Sequence, residues 1–394
     1  MNQFTTDIVQ ALVKKEDITE VFRSHLELAV NTLLTSELTA FLDYEKYDRI
    51  GFNSGNSRNG FYSRTLHTEF LDLQISIPRD RNGEFKQQTI APYRRSNDTL
   101  ESFVIHMFQK GVTTAEIANL IERMYGHHYT PQTISNMTKV MTEQVESFQA
   151  RTLSARYTCV YLDATYIALK RETVAKEAVY IAVGIREDES KDVLGYAIAP
   201  TESASVWKEI LQDIQERGTE EILLFVSDGL KGITDAILSI YPEAKYQTCC
   251  VHLQRNIAHK VRVSDRQEVC DDFKTVYRAE NLEMAQKALQ DFVIKWKAIY
   301  PKVTKSLAEN PYSLTFYSFP KSIWRSIYST NLIESFNKQI KKYSKRKEQF
   351  PNEESLERFL VSRFEEYNQR FATRCHIGFD KARAELETMF KTKE

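Results

Sequence analysis

The sequence has no long apolar run and few cysteines. No window of about 18 apolar residues occurs among the 394 residues, so the sequence predicts no membrane-spanning helix. The first ten residues lack a basic start followed by an apolar core, so we expect no signal peptide. Five cysteines in a chain of this length favour reduced thiols in a cytosolic protein over a disulfide framework.

The sequence also lacks a net charge of either sign. The formal net charge is −1 and the pI is near 6.7, which argues against a uniformly basic nucleic-acid binder but leaves local basic patches open. With 42% hydrophobic and 27% charged residues the chain can form a real core, which argues against global disorder. The length predicts two or three domains.

An acidic residue interrupts each of two apolar segments. Residues 158–170 read TCVYLDATYIALK, with Asp163 at the centre of a strand-like composition. Residues 221–229 read EILLFVSDG, where five apolar residues lead to Asp228 and Gly229 can turn the chain. An ionised Asp in a buried strand is costly unless a cation or hydrogen bonds compensate it. Two strands that each deliver an Asp therefore predict a metal site at the strand ends.

From residue 157 onward the pattern is α/β. The expected order is β-β-β-α-β-α-β, which is that of a ribonuclease H-like fold, and an amphipathic helical stretch follows at 256–325. The predicted strands are 158–169, 178–186, 193–199, 221–228 and 246–250, and the predicted helices are 203–217 and 232–240.

A site for two metal ions needs a third carboxylate. Asp228 follows Asp163 by 65 residues (228 − 163), and the best third candidate, Glu334 in TNLIESFN, comes 106 residues later (334 − 228). The helical block 256–325 is then an all-α insertion that precedes the helix carrying Glu334. Carboxylate oxygens suit magnesium or manganese better than zinc, so we expect two divalent metal ions, Mg or Mn.

The N-terminal region combines helices with an arginine-rich hairpin. Residues 5–45 have helical spacing, 51–65 are rich in Gly, Asn and Ser and predict a loop, and 71–77 alternate like a strand. Arginines among aromatic residues suit DNA phosphate contacts, although a solvated surface hairpin remains an equal alternative. The candidate DNA contacts are Arg58, Arg64, Arg79 and Arg81, with Tyr93, Arg94 and Arg95 following.

Residues 111–140 have the spacing of a helix-turn-helix. Thr113 or Thr114 can cap a first helix, and Pro131 can begin a second, with Ile134, Met137 and Val140 expected to point inward. Two short helices joined by a tight turn are also common without DNA contact. The outward-facing residues that would read DNA are Gln132, Thr133 and Asn136.

Six motifs in this order resemble those of Mutator-type bacterial insertion-sequence transposases. They are RNGFYSRTL at 58–66, IPRDRNGEF at 77–85, LDATY at 162–166, VSDG at 226–229, CCVHLQRN at 249–256 and STNLIESFN at 329–337. Each motif alone is weak, but the ordered set is highly specific and spans nearly the whole chain. The resemblance implies a DDE transposase with Asp163, Asp228 and Glu334 as catalytic and metal-binding residues.

The resemblance also implies partners. Double-stranded DNA is expected both as the terminal inverted repeats of a mobile element and as a target. A homodimer or higher homo-oligomer is expected because two ends must be brought together, and a bacterial cytoplasmic location at the nucleoid follows. Two rivals remain: a ribonuclease H-like nuclease without strand transfer, and a domesticated transposase that only binds DNA.

The signature Cys249, His252, Arg255 and Asn256 resembles the family's Cys-x-x-His motif. It could hold the strand–helix junction or place Arg255 near DNA phosphate. A zinc site would need two further ligands, for which Cys250 and His259 are the nearby candidates.

A basic run follows Glu334 and predicts DNA contact beside the active site, although such runs are usually solvated helix faces. The predicted contacts are Lys338, Lys341, Lys342, Lys345 and Arg346, with Lys347 next in the run.

Five segments are expected, namely 1–95 (helices and hairpin, DNA-binding), 96–150 (helix-turn-helix-like), 151–255 (catalytic core), 256–325 (all-α insertion) and 326–394 (the remaining core).

Overall fold

The computed structural model describes residues 3–48, 55–68, 71–87, 98–125, 128–230 and 232–391. The chain forms two compact units, Met1–Val140 and Met141–Glu394. The predicted contacts Tyr93, Arg94 and Arg95 lie outside the described residues.

The first unit packs helices against a β-hairpin. Strand β2 alternates apolar and polar residues, and its Leu73, Ile75 and Ile77 bury one face against Leu34 of helix α2. The elements are α1 (Gln3–Lys14), α2 (Ile18–Leu42), β1 (Arg58–Thr68), β2 (Leu71–Asp80), α3 (Asp98–Gln109), α4 (Thr114–Tyr125), α5 (Pro131–Met137) and a 3-10 turn at Thr138–Val140.

The end of the predicted loop 51–65 is a strand instead. Arg58–Thr68 pairs antiparallel with β2, with Tyr62 opposite Ile77. The loop prediction was wrong for residues 58–65 because pairing with β2 satisfies the backbone despite the Gly, Asn and Ser content.

The helix-turn-helix prediction is confirmed in its two helices and their caps. Thr113 and Glu116 form a capping box, in which the Glu116 amide donates to Thr113 Oγ1 at 3.2 Å. Thr130 caps α5 by accepting from the Thr133 amide at 3.1 Å. Val140, which was expected to point inward, is 53% exposed because the helix gives way to a 3-10 turn before it.

In the second unit every strand and helix predicted between 158 and 250 is present. They are β3 (Arg156–Lys170), β4 (Val174–Arg186), β5 (Lys191–Ala199), α7 (Ala204–Glu216), β6 (Glu221–Ser227), α8 (Ile233–Ile240) and β7 (Lys245–Thr248), and α6 (Met141–Ala150) precedes them. The strands form a five-stranded mixed sheet in the order β5-β4-β3-β6-β7. Strands β3, β4 and β5 are antiparallel neighbours, whereas β6 and β7 run parallel to β3.

The two faces of β3 meet different partners. Val160 and Leu162 belong to a core cluster with Trp207 of α7 and Ile237 of α8. Alternate residues point the other way, so Tyr161 donates from its hydroxyl to the Ser326 carbonyl at 3.0 Å. Asp163 lies on this second face.

The chain after β7 is helical. Between 250 and 327 the structure places helices and 3-10 turns, and α9 runs through the predicted domain boundary at residue 255. Helix α6 packs in this unit through the rings of Phe148 and Phe364, whose centroids are 5.6 Å apart. The helices are α9 (Cys250–Lys260), α10 (Arg266–Tyr277), α11 (Leu282–Trp296), α12 (Pro301–Ala308), α13 (Trp324–Ile327), α14 (Asn331–Ser344), α15 (Glu353–Phe371) and α16 (Phe379–Lys391).

All five cysteines lie in described ranges and are free thiols. In the described part of the chain, no helix combines the length and the apolar character that crossing a bilayer requires.

A buried carboxylate ties β5 to β3 and β4. Asp192 is fully buried and accepts from Arg151 at 2.9 Å, Arg186 at 2.7 Å and Tyr157 at 3.2 Å. We expect Asp192→Ala to lower the free energy of unfolding by about 3–5 kcal/mol, because it leaves two arginines without their acceptor. Urea unfolding of the full-length protein measures this. Asp271→Ala, which breaks an exposed pair with Lys274, is the control and should leave the midpoint nearly unchanged. Equal effects of both changes would contradict the role of Asp192.

Candidate active site

The sheet register brings Asp163 and Asp228 to the same level of neighbouring strands. Tyr161 of β3 pairs with Val226 of the parallel strand β6, and each Asp lies two residues further along its own strand direction. The negative charge of Asp228 acts on Asp163 and raises the pKa of that carboxyl. The two carboxylates that the sequence singled out are therefore neighbours.

Gly229 allows Asp228 to sit at this edge. Its φ is +90°, a conformation that residues with a Cβ rarely adopt, and a Cβ there would meet Thr248 Cγ2 at 3.2 Å. The expected turn directly after Asp228 is confirmed.

Asp163 is a half-buried acid that accepts hydrogen bonds from the Asn337 side chain and, at 3.0 Å, from the Ala164 amide. Burial raises its pKa from 3.8 to about 6, and the hydrogen bond from Asn337 acts in the opposite direction. Asn337 Nδ2 donates to Asp163 Oδ2 at 2.8 Å. The strand therefore contains a carboxylate that is only partly compensated by protein groups.

Asn337 was missed by sequence reasoning. It lies one helical turn after Glu334 on α14, it is 5% exposed, and its Oδ1 atom has no hydrogen-bond partner among the described residues. A signal was present, because Asn337 falls on the apolar stripe of Ile333, Phe336 and Ile340, where a polar residue is unexpected. A buried amide with one bonded and one unbonded end beside Asp163 is a candidate site residue.

Glu334 is held by α9 through an ion pair. Arg255 Nη1 lies 2.9 Å from Glu334 Oε1, and Arg255 Nη2 lies 3.2 Å from Oε2. His252 Nε2 is 3.4 Å from Glu334 Oε1. Burial would raise the pKa of Glu334, but the bonds and charge of Arg255 outweigh it and lower that pKa.

The donor chemistry of the site fits a hard divalent cation, but the three acids are not gathered around one point. Among the described residues, no three His, Cys, Asp or Glu side chains are close enough to bind a single metal ion. The carboxylates of Asp163 and Asp228 and the unbonded Oδ1 of Asn337 offer oxygen ligands, which magnesium prefers. Glu334 must leave or share its bond with Arg255 to join them.

Cys249 and His252 lie at the junction of β7, α9 and α14. Cys249 Sγ accepts from the Thr330 amide and from Thr330 Oγ1, both at 3.3 Å, and from the His252 amide at 3.5 Å. Burial would raise the pKa of Cys249, but the hydrogen bonds from His252 and Thr330 outweigh it and lower that pKa. The interaction with Cys249 raises the pKa of His252. These contacts favour the junction role.

The two further zinc candidates point elsewhere. Cys250 is buried with its Sγ 3.4 Å from the Ser313 carbonyl, and His259 is exposed near the end of α9. Asn256 is also exposed, next to Arg255.

Glu202 is a further acid near Asp228 that sequence reasoning missed. Burial raises its pKa, and the charge of Asp228 raises it further. Glu202 lies in the turn between β5 and α7, where nothing in the sequence distinguishes it from a solvated acid.

The basic run divides into exposed and buried members. Lys338 and Lys341 lie on the Glu334 side of α14 by helical spacing, and Lys347 is buried with its Nζ 5.4 Å from the Phe350 ring centroid. The exposed members are Lys338, Lys341 and Lys342 on α14, and Lys345 and Arg346 on the 3-10 turn Lys345–Lys347 that follows.

The predicted contacts of the first unit differ in their exposure. Arg58 is engaged within the unit, donating to the Tyr44 carbonyl at 2.6 Å and to Thr39 Oγ1 at 3.0 Å. Arg79 and Arg81 are exposed, whereas Arg64 is half-buried.

On α5 the predicted contacts are also mixed. Gln132 and Asn136 are exposed and bonded to each other at 3.3 Å, whereas Thr133 is half-buried in the cap of the helix.

The raised pKa of Asp163 makes stability depend on pH. The unfolded chain ionises this carboxyl near pH 4 and the folded chain only near pH 6, so ionisation destabilises the fold as pH rises between these values. We expect Asp163→Asn to raise the free energy of unfolding by up to about 3 kcal/mol at pH 7.5 and by little at pH 4.

Denaturant melts of the full-length protein in chelator at both pH values measure this difference. Asp235→Asn, at an exposed position on α8, is the control. A gain that is the same at both pH values would show that Asp163 is not a destabilised ionised group.

Comparison with known proteins identifies relatives along the whole chain. A family model described as Transposase, Mutator family, matches residues 2–373. The chain is 52% identical over 390 residues to the transposase for insertion sequence element IS905 of Lactococcus lactis subsp. lactis (strain IL1403), covering 99% of this chain and 100% of that protein. It is 48% identical to the transposase for IS1201 of Lactobacillus helveticus, covering 91% of this chain and 98% of that protein.

Likeness to solved structures is weaker. The Drosophila P element transposase strand transfer complex aligns with a TM-score of 0.31 at 9% identity, covering 79% of this chain and 87% of that one. A score of this size does not establish a common fold.

Proposed function

Because the chain belongs to the Mutator family of transposases, we propose that it cuts DNA at the ends of a mobile element and joins the cut strands to target DNA at a site formed by Asp163, Asp228 and Glu334. The observation that carries this proposal is the register of β3 and β6, which sets Asp163 beside Asp228 on parallel neighbours. Helix α14 then supplies Glu334 and, one turn later, Asn337 beside Asp163.

The fold proposed for this site is ribonuclease H-like. The sheet order β5-β4-β3-β6-β7, with three antiparallel strands followed by two parallel ones, supports it. The helices between β7 and α14 are proposed to be an all-α insertion, since they separate the last strand from the helix that carries Glu334. The catalytic core then spans 151–255 and 326–394, with the insertion at 256–325.

The chain's own residues position the carboxylates. Asp163, Asp228 and Glu334 would hold two divalent ions, Mg²⁺ or Mn²⁺, which would supply activation of the attacking oxygen and stabilisation of the leaving oxygen of the phosphodiester. Asn337 orients Asp163 through its Nδ2–H. Arg255 holds Glu334 in the absence of DNA. When Glu334 moves to the metal ions, the half-exposed guanidinium of Arg255 becomes available to a DNA phosphate.

DNA recognition is proposed for both units. In the N-terminal region, 1–150, Arg79 and Arg81 of the hairpin and Gln132 and Asn136 of α5 are exposed and could reach terminal-repeat DNA. In the second unit the exposed cations after Glu334 would follow the phosphate backbone next to the cut. A dimer or larger assembly is proposed because both ends of an element must be held together.

Removing any one acid of the triad should abolish chemistry while leaving the protein folded. Asp163→Asn, Asp228→Asn and Glu334→Gln each keep the side-chain shape and remove a ligand charge. We expect each to slow strand cleavage at least about a thousandfold, equivalent to roughly 4 kcal/mol. Cleavage and joining of a labelled terminal-repeat duplex in magnesium or manganese measures this.

Three outcomes would contradict parts of the assignment. Control changes Asp235→Asn and Glu243→Gln should keep the rate within about tenfold. A folded Glu334→Gln protein with near-normal cleavage would remove Glu334 from the site and make Glu202, beside Asp228, the next candidate. Cleavage without any joined product would favour a nuclease, and activity restored only by zinc would exclude the hard-metal site.

Asn337 should act through Asp163. Asn337→Leu keeps the size but removes the donor, and a hydrogen bond to a charged group contributes about 1.5–3 kcal/mol. We therefore expect cleavage to slow about ten- to a hundredfold. The acidic limb of the pH–rate profile should move to higher pH, because the bond that lowers the pKa of Asp163 is gone.

If Asn337 had only a structural role, its replacement would leave the acidic limb of the pH–rate profile at the same pH. Gln349→Ala, at an exposed position, serves as the control. A slower Asn337→Leu enzyme with an unshifted acidic limb would mean that Asn337 does not act on Asp163.

A further inference from the structure

A cavity of about 280 Å³ lies beside α14 on the side away from Glu334. Ser335 and Gln339 line it, and at about 100° of rotation per residue these positions point away from Glu334 and Lys338. The cavity is therefore separate from the candidate active site.

The lining of this cavity is cationic. Lys191 and Arg325 line it, and none of its lining residues is acidic. His376 also lines it but is neutral at pH 7, because burial lowers its pKa to about 4. Burial lowers the pKa of Lys191, and the charges of Arg370 and Arg374 lower it further. Within the described ranges Lys191, Arg325, Arg370 and Arg374 form no salt bridge, so like charges are crowded here without an acid to balance them.

A second cavity of about 80 Å³ continues the first between α14 and α15. The two share Phe336, Gln339 and Tyr367, so we treat them as one α14–α15 groove. Their combined lining includes four strong cations (Lys191, Arg325, Arg363, Arg370) against one acid, Glu366. Glu366 is already paired with Arg363.

Two buried polar atoms in this lining lack partners. Ser329 is fully buried, and its Oγ has no hydrogen-bond partner among the described residues. Arg363 is 7% exposed, and its Nε likewise has none in that part of the chain. Buried donors without acceptors are rare in folded proteins. Both atoms lie below the accessible surface of the groove, so direct contacts with an anion come from the cations around them.

Aromatic rings support two of the cations. Lys191 Nζ lies 4.1 Å from the Phe371 ring centroid, and the Arg370 guanidinium lies 5.5 Å from the same ring. The two charges are thus fixed near each other on the groove rim rather than free in solvent.

We infer that the α14–α15 groove binds the sugar-phosphate backbone of DNA, as a second DNA contact on the opposite side of α14 from Glu334. The ligand class follows from charge: Lys191, Arg325 and Arg370, with the one acid of the lining already paired, are complementary to a row of phosphates. The inference rests on the proposed action on DNA, because it assigns a further surface of the same protein to that substrate. Contacts of this kind position DNA without reading its sequence.

The test compares salt dependence of DNA binding. Lys191→Gln with Arg325→Gln removes two groove charges, and Lys208→Gln with Arg278→Gln removes two exposed charges elsewhere in the same unit. Fluorescence anisotropy with a labelled duplex in chelator, over a range of salt concentrations, gives log Kd against log salt. We expect the groove variant to bind more weakly and its slope to be shallower by about 1.8, since each lost phosphate contact removes about 0.9. The control should match wild type.

The chemistry of the site should survive in the groove variant. Its cleavage rate at saturating DNA is expected to equal that of wild type, whereas the triad variants lose cleavage and keep binding. Failure of the groove inference is thus distinguishable from failure of the proposed active site. A groove variant with a wild-type slope overturns the inference, and so does an equal slope change in the control.

Lysine protection provides a measurement without mutation. Lys191 should be acetylated by a water-soluble ester in the free protein and protected by duplex DNA, while Lys208 stays equally reactive in both. Protection by inorganic phosphate but not by DNA would reduce the groove to a small-anion site and overturn the inference. If the groove variant binds DNA like wild type but changes its oligomeric state, the inference is overturned. The groove would then be an interface between copies of the chain.

Discussion

An ionisable carboxyl in the middle of a buried central strand is the constraint on which the site depends. Asp163 follows six buried residues of β3, and burial raises its pKa to about 6. The protein offsets only part of this cost, mainly through the side-chain amide of Asn337 on α14 and also through the backbone amide of Ala164. The neighbouring acid Asp228 increases the cost instead, which supports the proposal that a cation binds between them.

A second arrangement links parts of the chain that are far apart in sequence. Cys249 at the start of α9 accepts hydrogen bonds from Thr330 at the start of α14, so the two helix starts are fixed together. This junction lets Arg255 on α9 reach Glu334 on α14. The signature residues Cys249 and Arg255 and the acid Glu334 therefore form one structural unit. In it the Arg255 guanidinium binds the Glu334 carboxylate, which the proposed chemistry requires beside Asp163 and Asp228.

A net charge of −1 conceals a strong local separation of charge. Helix α14 carries Glu334 with Lys338 and Lys341 on one side, and on its other side borders the cationic groove toward α15. DNA contact is proposed for both sides, and the one acid of the groove, Glu366, is paired with Arg363, whereas Glu334 belongs to the proposed metal site. On this proposal the helix would contact DNA on two surfaces, with the cut made on the Glu334 side.

The sequence alone determined the succession of strands and helices that carries Asp163 and Asp228, and the capped helices at Thr113 and Thr130. Both follow from periodicity and capping, which are local properties of the chain. The strand at 58–65 was missed because its pairing with β2, rather than its own composition, decides it. Only the tertiary structure revealed Asn337 and Glu202, since a polar residue acquires its role from what packs against it. It alone also showed Arg255 holding Glu334 and the groove beyond α14, because charges brought together from distant segments leave no pattern along the chain.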